Sequence, residues 1–166
     1  MEQLSTANAD NSPIINEDNR GPVETYQYIV IRVGAEQYGI DISYIDNIVR
    51  MQPITRLPKV SKYLKGVINL RGEVIPVMSI RIKMGLADDE ITRNTRIIIL
   101  KLEQEGNVGV MVDEVKEVVT LTGDEIERVS HEPKGGKANF INGIGKHNNE
   151  LISLLDLNSI NFEDNM

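Results

Sequence analysis

His131 and His147 are the side chains best suited to acid–base or metal chemistry near neutral pH. A zinc-type site takes histidines at short spacings together with Cys, Asp or Glu, and neither histidine stands in such a pattern. Both fall in polar stretches that read as exposed loops. The sequence has no cysteine, which excludes disulfides, zinc fingers, iron–sulfur clusters and a thiolate nucleophile. Asp88-Asp-Glu90 lacks the alternating oxygen donors, glycine and distant Glu of a calcium loop, and reads as a solvated loop. Gly143-Ile-Gly145 has two glycines of a dinucleotide-binding turn but no third, and no helix pattern follows, so it reads as a turn between strands. Lys134-Gly-Gly-Lys137 could cradle an anion through backbone N–H groups, but it has neither the spacing nor the ending of a phosphate-binding loop, and it reads as a flexible basic tip. No Gly-x-Ser-x-Gly elbow is present. The expectation is no catalytic residue, no cofactor and no metal.

Arg71 is the residue kept for recognition chemistry. It lies in Asn69-Leu-Arg-Gly72, a turn between two strand-like runs. A guanidinium on a rigid hairpin presents a planar fork of donors to a partner's carboxylates or carbonyls. Arg-Gly is also common at exposed turns that have no such role. Arg71 departs from the internal repeat described below, whose second half has Asn148 at the same place.

The elements that must position these residues are mainly strands. Tyr26-Gln-Tyr-Ile-Val-Ile-Arg-Val33 and Tyr38-Gly-Ile-Asp-Ile42 read as a hairpin across Gly34. Further short runs rich in β-branched and aliphatic residues cover 66–70, 73–78, 95–102, 108–112, 115–121 and 151–155. No segment sustains a 3.6-residue period. Helical turns are expected at 43–46, 80–84 and 122–128, the last opened by a Thr122-x-x-Glu125 capping box. Pro76 removes a ladder donor and so marks an edge or a bulge. Residues 1–24 are polar and Asn-rich around one apolar pair, Ile14-Ile15, and read as a disordered arm. Residues 25–160 form the working domain and 161–166 a tail.

Composition narrows the function. Eighteen Lys and Arg against 25 Asp and Glu give a net charge of −7 and a pI near 4.9. That balance opposes nucleic-acid binding, which draws on cations against phosphate. Only 4% of residues are aromatic, too few for base-stacking platforms. Hydrophobic residues are 40% of the chain, enough for a core. No apolar run reaches the length of a membrane helix, and the start has no secretory pattern. The chain reads as cytoplasmic.

The sequence also repeats itself once. Tyr28-Ile-Val-Ile-Arg-Val33 matches Ile97-Ile-Ile-Leu-Lys-Leu102 in class at every position, with Arg32 against Lys101. Gly39-Ile-Asp-Ile42 matches Gly109-Val-Met-Val112, and the same register sets Ile45, Ile48 and Val49 against Val115, Val118 and Val119. Tyr63-Leu-Lys-Gly66 matches Phe140-Ile-Asn-Gly143, in a register that pairs Glu73-Val-Ile75 with Glu150-Leu-Ile152 and Val77 with Leu154. Alternation alone makes β sequences look alike. It does not align glycines or confine spacing changes to loops. Each half, at about 60–70 residues, is a marginal domain by itself. Two halves packed or interwoven give a pair of small barrels with a seam between them.

Three stretches carry a family resemblance: Tyr63-Leu-Lys-Gly-Val-Ile-Asn-Leu-Arg-Gly-Glu-Val-Ile-Pro-Val77, Val108-Gly-Val-Met-Val-Asp-Glu-Val-Lys-Glu-Val118, and Phe140-Ile-Asn-Gly-Ile-Gly with Leu154-Leu-Asp-Leu157. With Tyr38-Gly-Ile-Asp-Ile42 they resemble, in order over roughly 25–160, the CheW-type chemotaxis coupling proteins. The resemblance implies a mainly β fold of two intertwined five-stranded SH3-like barrels with short helices. It implies a non-enzymatic scaffold linking methyl-accepting chemoreceptors to the regulatory domain of the CheA histidine kinase. Such proteins are recruited to receptor arrays at the inner membrane. On that resemblance Arg71, Asn69 and Gly66 match the receptor-coupling motif, and Val115 and Val118 match positions near the receptor groove. Ile45, Asn47 and Ile48 match the kinase-contacting segment. The sequence departs from the family pattern at Ser79, where Asp is usual and which Asp156 retains in the second half. It departs again at Asn47, where an acidic residue is common.

Two other readings stay open on the residues alone. One is a small-ligand-binding or enzymatic β-barrel whose pocket is assembled from distant residues. The other is a CheW-like adaptor serving a non-chemotactic receptor–kinase pathway.

Overall fold

The stretch from Tyr28 to Val33 is apolar at nearly every position because its strand has no solvent face. Successive side chains on a strand point to opposite sides. Here Tyr28 and Val30 enter one core, while Ile29, Ile31 and Val33 enter another. The matching run of the second half does the same. Ile97 and Ile99 fill a third core, and Ile98, Leu100 and Leu102 join the one that Ile29 and Ile31 line. The molecule therefore has two barrel interiors and a shared seam, and the doubly buried strands are the walls between them.

The structure, a computed structural model, describes residues 14–15, 22–103, 105–129 and 140–160. His131 and the 134–137 loop lie outside the described residues, as do the tail 161–166 and most of the arm. The strands are β1 (Ile14–Ile15), β2 (Pro22–Val23), β3 (Thr25–Val33), β4 (Glu36–Asp41), β5 (Ile45–Arg50), β6 (Leu64–Leu70), β7 (Glu73–Ser79), β8 (Arg96–Leu102), β9 (Gly106–Val112), β10 (Glu114–Thr122), β11 (Ile126–Arg128), β12 (Ile141–His147) and β13 (Glu150–Leu155). A single helical turn, α1 (Ile80–Lys83), follows β7.

Beside the small β1–β2 pair, one large sheet runs β10-β3-β4-β13-β12-β11 and a second β5-β8-β9-β7-β6. In the first large sheet, only the 3-10 turn Gly123–Glu125 separates β10 from β11, so one bent strand pairs with both edges and closes a barrel. In the second, the chain beyond β5 reaches Thr55, which exchanges two backbone hydrogen bonds with Val67 of β6, at 2.8 and 2.9 Å. Barrel 1 thus holds β3, β4 and β10 to β13, and barrel 2 holds β5 to β9. The chain starts barrel 1 and leaves it through the 3-10 turn Ile42–Tyr44. It builds barrel 2 and returns at Asp113. This is the interwoven arrangement the repeat called for.

The two barrels agree in fine detail. The β5–β8 ladder is interrupted between Ile45 and Asn47, and the β10–β3 ladder between Val115 and Glu117, which are the matching places. The β6–β7 and β12–β13 hairpins slip between Leu64 and Gly66 and between Ile141 and Gly143. Ser79 N–H donates to Tyr63 O and Asp156 N–H to Phe140 O, both at 2.7 Å.

Several sequence-based expectations need correction. Gly143-Ile-Gly145 is the middle of β12 and not a turn. His147 ends that strand opposite Glu150 instead of standing in a loop. The expected helical turns at 43–46 and 122–128 shrink to 3-10 turns whose C-terminal sides are strands β5 and β11. Glu125 Oε1 accepts the Thr122 N–H at 2.8 Å, the return bond of the expected box. Ile14–Ile15, within the arm read as disordered, pairs antiparallel with Pro22–Val23. Of the edge or bulge expected at Pro76, the edge is absent, since β7 has β6 on one side and β9 on the other, while the β6–β7 ladder slips close by, between Leu64 and Gly66 opposite Met78 and Val77. Pro76's partner Val67 spends both backbone groups on Thr55, so the Val67–Pro76 pair needs no donor, and the β9 ladder begins one residue later at Val77.

Candidate functional site

The β6–β7 hairpin leaves Arg71 and Gly72 as a two-residue loop between the paired Leu70 and Glu73. Their φ values are 53° and 84°. Two left-handed residues make the turn whose twist suits a tight hairpin, and Asn or Gly normally occupies both places. The equivalent loop in barrel 1 is Asn148–Asn149, at φ 52° and 64°. Arg71 therefore holds a conformation that disfavours it by about 1 kcal/mol. A strained residue of this kind marks a place where the side chain matters. Asn69 Oδ1 accepts the Gly72 N–H at 3.1 Å and braces the turn. Among the described residues, the Arg71 guanidinium makes no hydrogen bond or ion pair. The nearest acid along the hairpin, Glu73, is engaged by Asn107 Nδ2 at 3.1 and 3.3 Å. Val74, next in line, is 63% exposed. Among the described residues, the tip presents one unpaired cation beside one apolar side chain.

Gly66 works below this surface. It is buried at φ 144°, and a Cβ there would run into the carbonyl of Thr55 and the side chain of Ile54. Its missing side chain lets Thr55 reach Val67 and close barrel 2, which holds the hairpin in place.

Val115 and Val118 lie on β10 just after the return crossover. Val115 packs against the seam, and Val118 stands beside it at 49% exposed, its Cα opposite Ile29. Ile45 and Ile48 pack on the same seam from β5. Asn47 Oδ1 accepts the Ile48 N–H at 2.9 Å, and Asp46 is the residue left out of the ladder. The residues matched to the receptor groove and to the kinase face are therefore the same positions of the two halves. Both groups flank one seam, and Arg71 with Asn69 stands apart at a hairpin tip of barrel 2.

Two features escaped the sequence reading. Asp88 is exposed and paired with Lys65 Nζ at 2.6 Å, and that bond holds its carboxyl below the ordinary range. Asp89 is not solvated as expected. It accepts the Ser79 hydroxyl at 2.5 Å, its Oδ1 is buried without a partner, and burial pushes its carboxyl up. Ser79 also accepts the Ile82 N–H at 3.1 Å as cap of α1, so Asp89 brings a carboxylate beside the position that is Asp156 in the second half of the chain. The second feature is a set of charges around Asp113, drawn from Arg32, Arg81 and Glu114. Their separation along the chain hides them from any local motif. Among the described residues, no three His, Asp or Glu stand together so as to hold a metal ion, and no helix is long and apolar enough to cross a membrane.

Comparison with known proteins covers the same span. The family model for the CheW-like domain matches residues 27–163. The chemotaxis protein CheW of Bacillus subtilis is 37% identical over 132 residues, 80% of this chain and 84% of that protein. CheW of Helicobacter pylori is 33% identical over 144 residues, 87% of this chain and 84% of that one. The crystal structure of the scaffolding protein TtCheW from Thermoanaerobacter tengcongensis superposes with a TM-score of 0.73 at 28% identity, covering 80% of this chain and 90% of that one. The interwoven barrels, the repeat and these matches agree, and the chain belongs to the CheW-like family, whose members are non-enzymatic scaffolds of chemotaxis.

Proposed function

We propose that this chain couples methyl-accepting chemoreceptors to the regulatory domain of a CheA-type histidine kinase, working from the cytoplasm at receptor arrays on the inner membrane. Residues 25–160 are the working unit, with the arm 1–24 and the tail 161–166 outside it. The observation that carries the reading is Arg71, a cation without a partner among the described residues, kept in a turn position that favours Asn. A free fork of donors beside exposed Val74 suits acidic and carbonyl groups on a receptor helix. Asn69 and Gly66 hold that fork in place. Val115 and Val118 supply an apolar anchor with a polar surround. Ile45, Asn47 and Ile48 supply the kinase face. Each contact is modest alone, and an array multiplies modest contacts through effective concentration.

The test is amide chemical-shift mapping of the whole chain with a kinase regulatory domain and, separately, a receptor cytoplasmic fragment. The reading expects shifts at 45–48 with the kinase domain, and at 69–71 and 115–118 with the receptor. Shifts at neither set would overturn it.

A further inference from the structure

Asp113 is the single residue between β9 and β10, where the chain passes from barrel 2 back to barrel 1. Its Oδ2 accepts the Gly34 N–H of the β3–β4 hairpin at 2.8 Å, and Arg81 Nη1 of α1 at 2.8 Å. One carboxylate oxygen thus joins barrel 1 to the helical turn that follows barrel 2's β7. Arg32 Nη1 lies 3.6 Å from the same oxygen. Its Nε donates to Glu114 Oε1 at 3.1 Å, and Nη1 to Gly34 O at 3.1 Å. Arg81 Nε donates to Ala87 O at 2.8 Å, tying in the loop before β8. The Arg81 and Asp113 side chains are only 19% and 17% exposed, so their charge-assisted bond is little screened.

The repeat supplies a counterpart for each member. Asp113 corresponds to Ser43, Glu114 to Tyr44, Arg32 to Lys101 and Arg81 to Asn158. These four gather at the other crossover, where the chain passes from barrel 1 to barrel 2. Among the described residues, the side-chain hydrogen bond across this crossover, Asn158 Nδ2 to Tyr44 Oη, is neutral, exposed and 3.4 Å long, while Ser43 is held locally by Asp41 Oδ1, which accepts its N–H at 2.9 Å and its hydroxyl at 2.8 Å. All four line a cavity of about 650 Å³. The corresponding cavity beside Asp113, partly filled by the 87–92 loop, is about 300 Å³. Among the described residues, two positions equivalent by the repeat thus differ: one side is partly filled and charge-clamped, and the other has about twice the open volume and a neutral tie.

We infer that the two crossovers are mechanically unequal: Asp113 is the pivot that pins barrel to barrel where β10 begins, and the Ser43–Tyr44 side is where the seam gives. Asp113 is a positioning residue in this scheme. Resting on the coupling reading, the consequence is directional. β10, with Val115 and Val118, is held in place, and β5, with Ile45 and Ile48, tilts with whatever docks on it.

The test is amide hydrogen exchange on the whole chain without partners, corrected for intrinsic rates. In the wild type the amides of 45–48 are expected to exchange about tenfold faster than the equivalent amides of 115–118. Asp113→Asn keeps an acceptor for Gly34 but loses the charge, and it is expected to raise exchange at 115–118 to the level of 45–48. Arg81→Gln leaves the crossover residue itself intact and is expected to do the same, so the test survives a poorly folding Asp113→Asn. Tyr44→Phe is expected to move neither set by more than about twofold. Equal protection of the two segments in the wild type would overturn the inference, as would unchanged exchange at 115–118 in Arg81→Gln. No receptor or kinase is present, so these outcomes are independent of whether the coupling reading holds.

Discussion

Arg71 and Asn148 hold the same left-handed turn position in the two halves of the chain, at φ 53° and 52°. One is the residue that the backbone prefers there, and the other is not. The repeat makes the comparison internal: same hairpin, same register, different side chain.

Replacing Arg71 by Asn is therefore expected to stabilise the protein by about 1 kcal/mol, because the backbone strain is relieved while no hydrogen bond or ion pair among the described residues is lost. The same change is expected to weaken receptor binding. Thermal unfolding and a receptor-fragment titration, run side by side, check the two signs. A variant both more stable and fully competent would remove the reason for keeping an arginine there.

Gly66→Ala is expected to destabilise by at least about 3 kcal/mol, since the added methyl meets the Thr55 carbonyl at a φ that favours glycine. Urea unfolding measures the shift in midpoint. The equivalent glycine of barrel 1, Gly143, has no positive φ, and its Cβ would stand 3.3 Å from Leu154 Cδ1. Gly143→Ala is expected to cost less. Equal losses at the two sites would contradict the closing role given to Gly66.

Asp89 sets a pH dependence. Burial raises its folded carboxyl above the ordinary 3.8, with the Ser79 hydroxyl bond opposing. The folded state then holds the proton more tightly than the unfolded state, so this group's contribution falls as pH rises through 3.8 to the folded value, and stays lower above it. Asp88 acts the other way. Its lowered carboxyl contributes stability above 3.8 that is lost as pH falls. Asp89→Asn removes the first slope and leaves Asp88 its largest support, the Lys65 bond, so its stability relative to wild type is expected to grow as pH rises from below 3.8 toward neutrality. Denaturant midpoints across that window give the answer, and a difference that stays flat would contradict the buried-carboxylate account.

The barrels were legible in the sequence because alternation, aligned glycines and constant spacings are local signals. β5 and β12 were not read as strands. The first is broken by the Asp46 bulge, and the second carries two glycines that look like a turn. β3 and β8 showed their burial as unbroken apolar runs, but which residue entered which core needed the partner strands. At the candidate site Arg71 was visible as a break in the repeat. The Asp113 cluster was not, since charges from β3, α1 and the β9–β10 crossover meet only after the chain has crossed between barrels.

Charge reversal at the hairpin tip tests the coupling claim most directly. Arg71→Glu keeps a long polar side chain on an exposed turn, so folding is expected to persist, as read by an unfolding midpoint close to that of wild type. Pull-down with receptor cytoplasmic fragments, with the kinase regulatory domain as a parallel bait, then separates the two faces. The expected result is loss of receptor capture with kinase capture kept. Receptor capture by Arg71→Glu at the wild-type level would contradict the account.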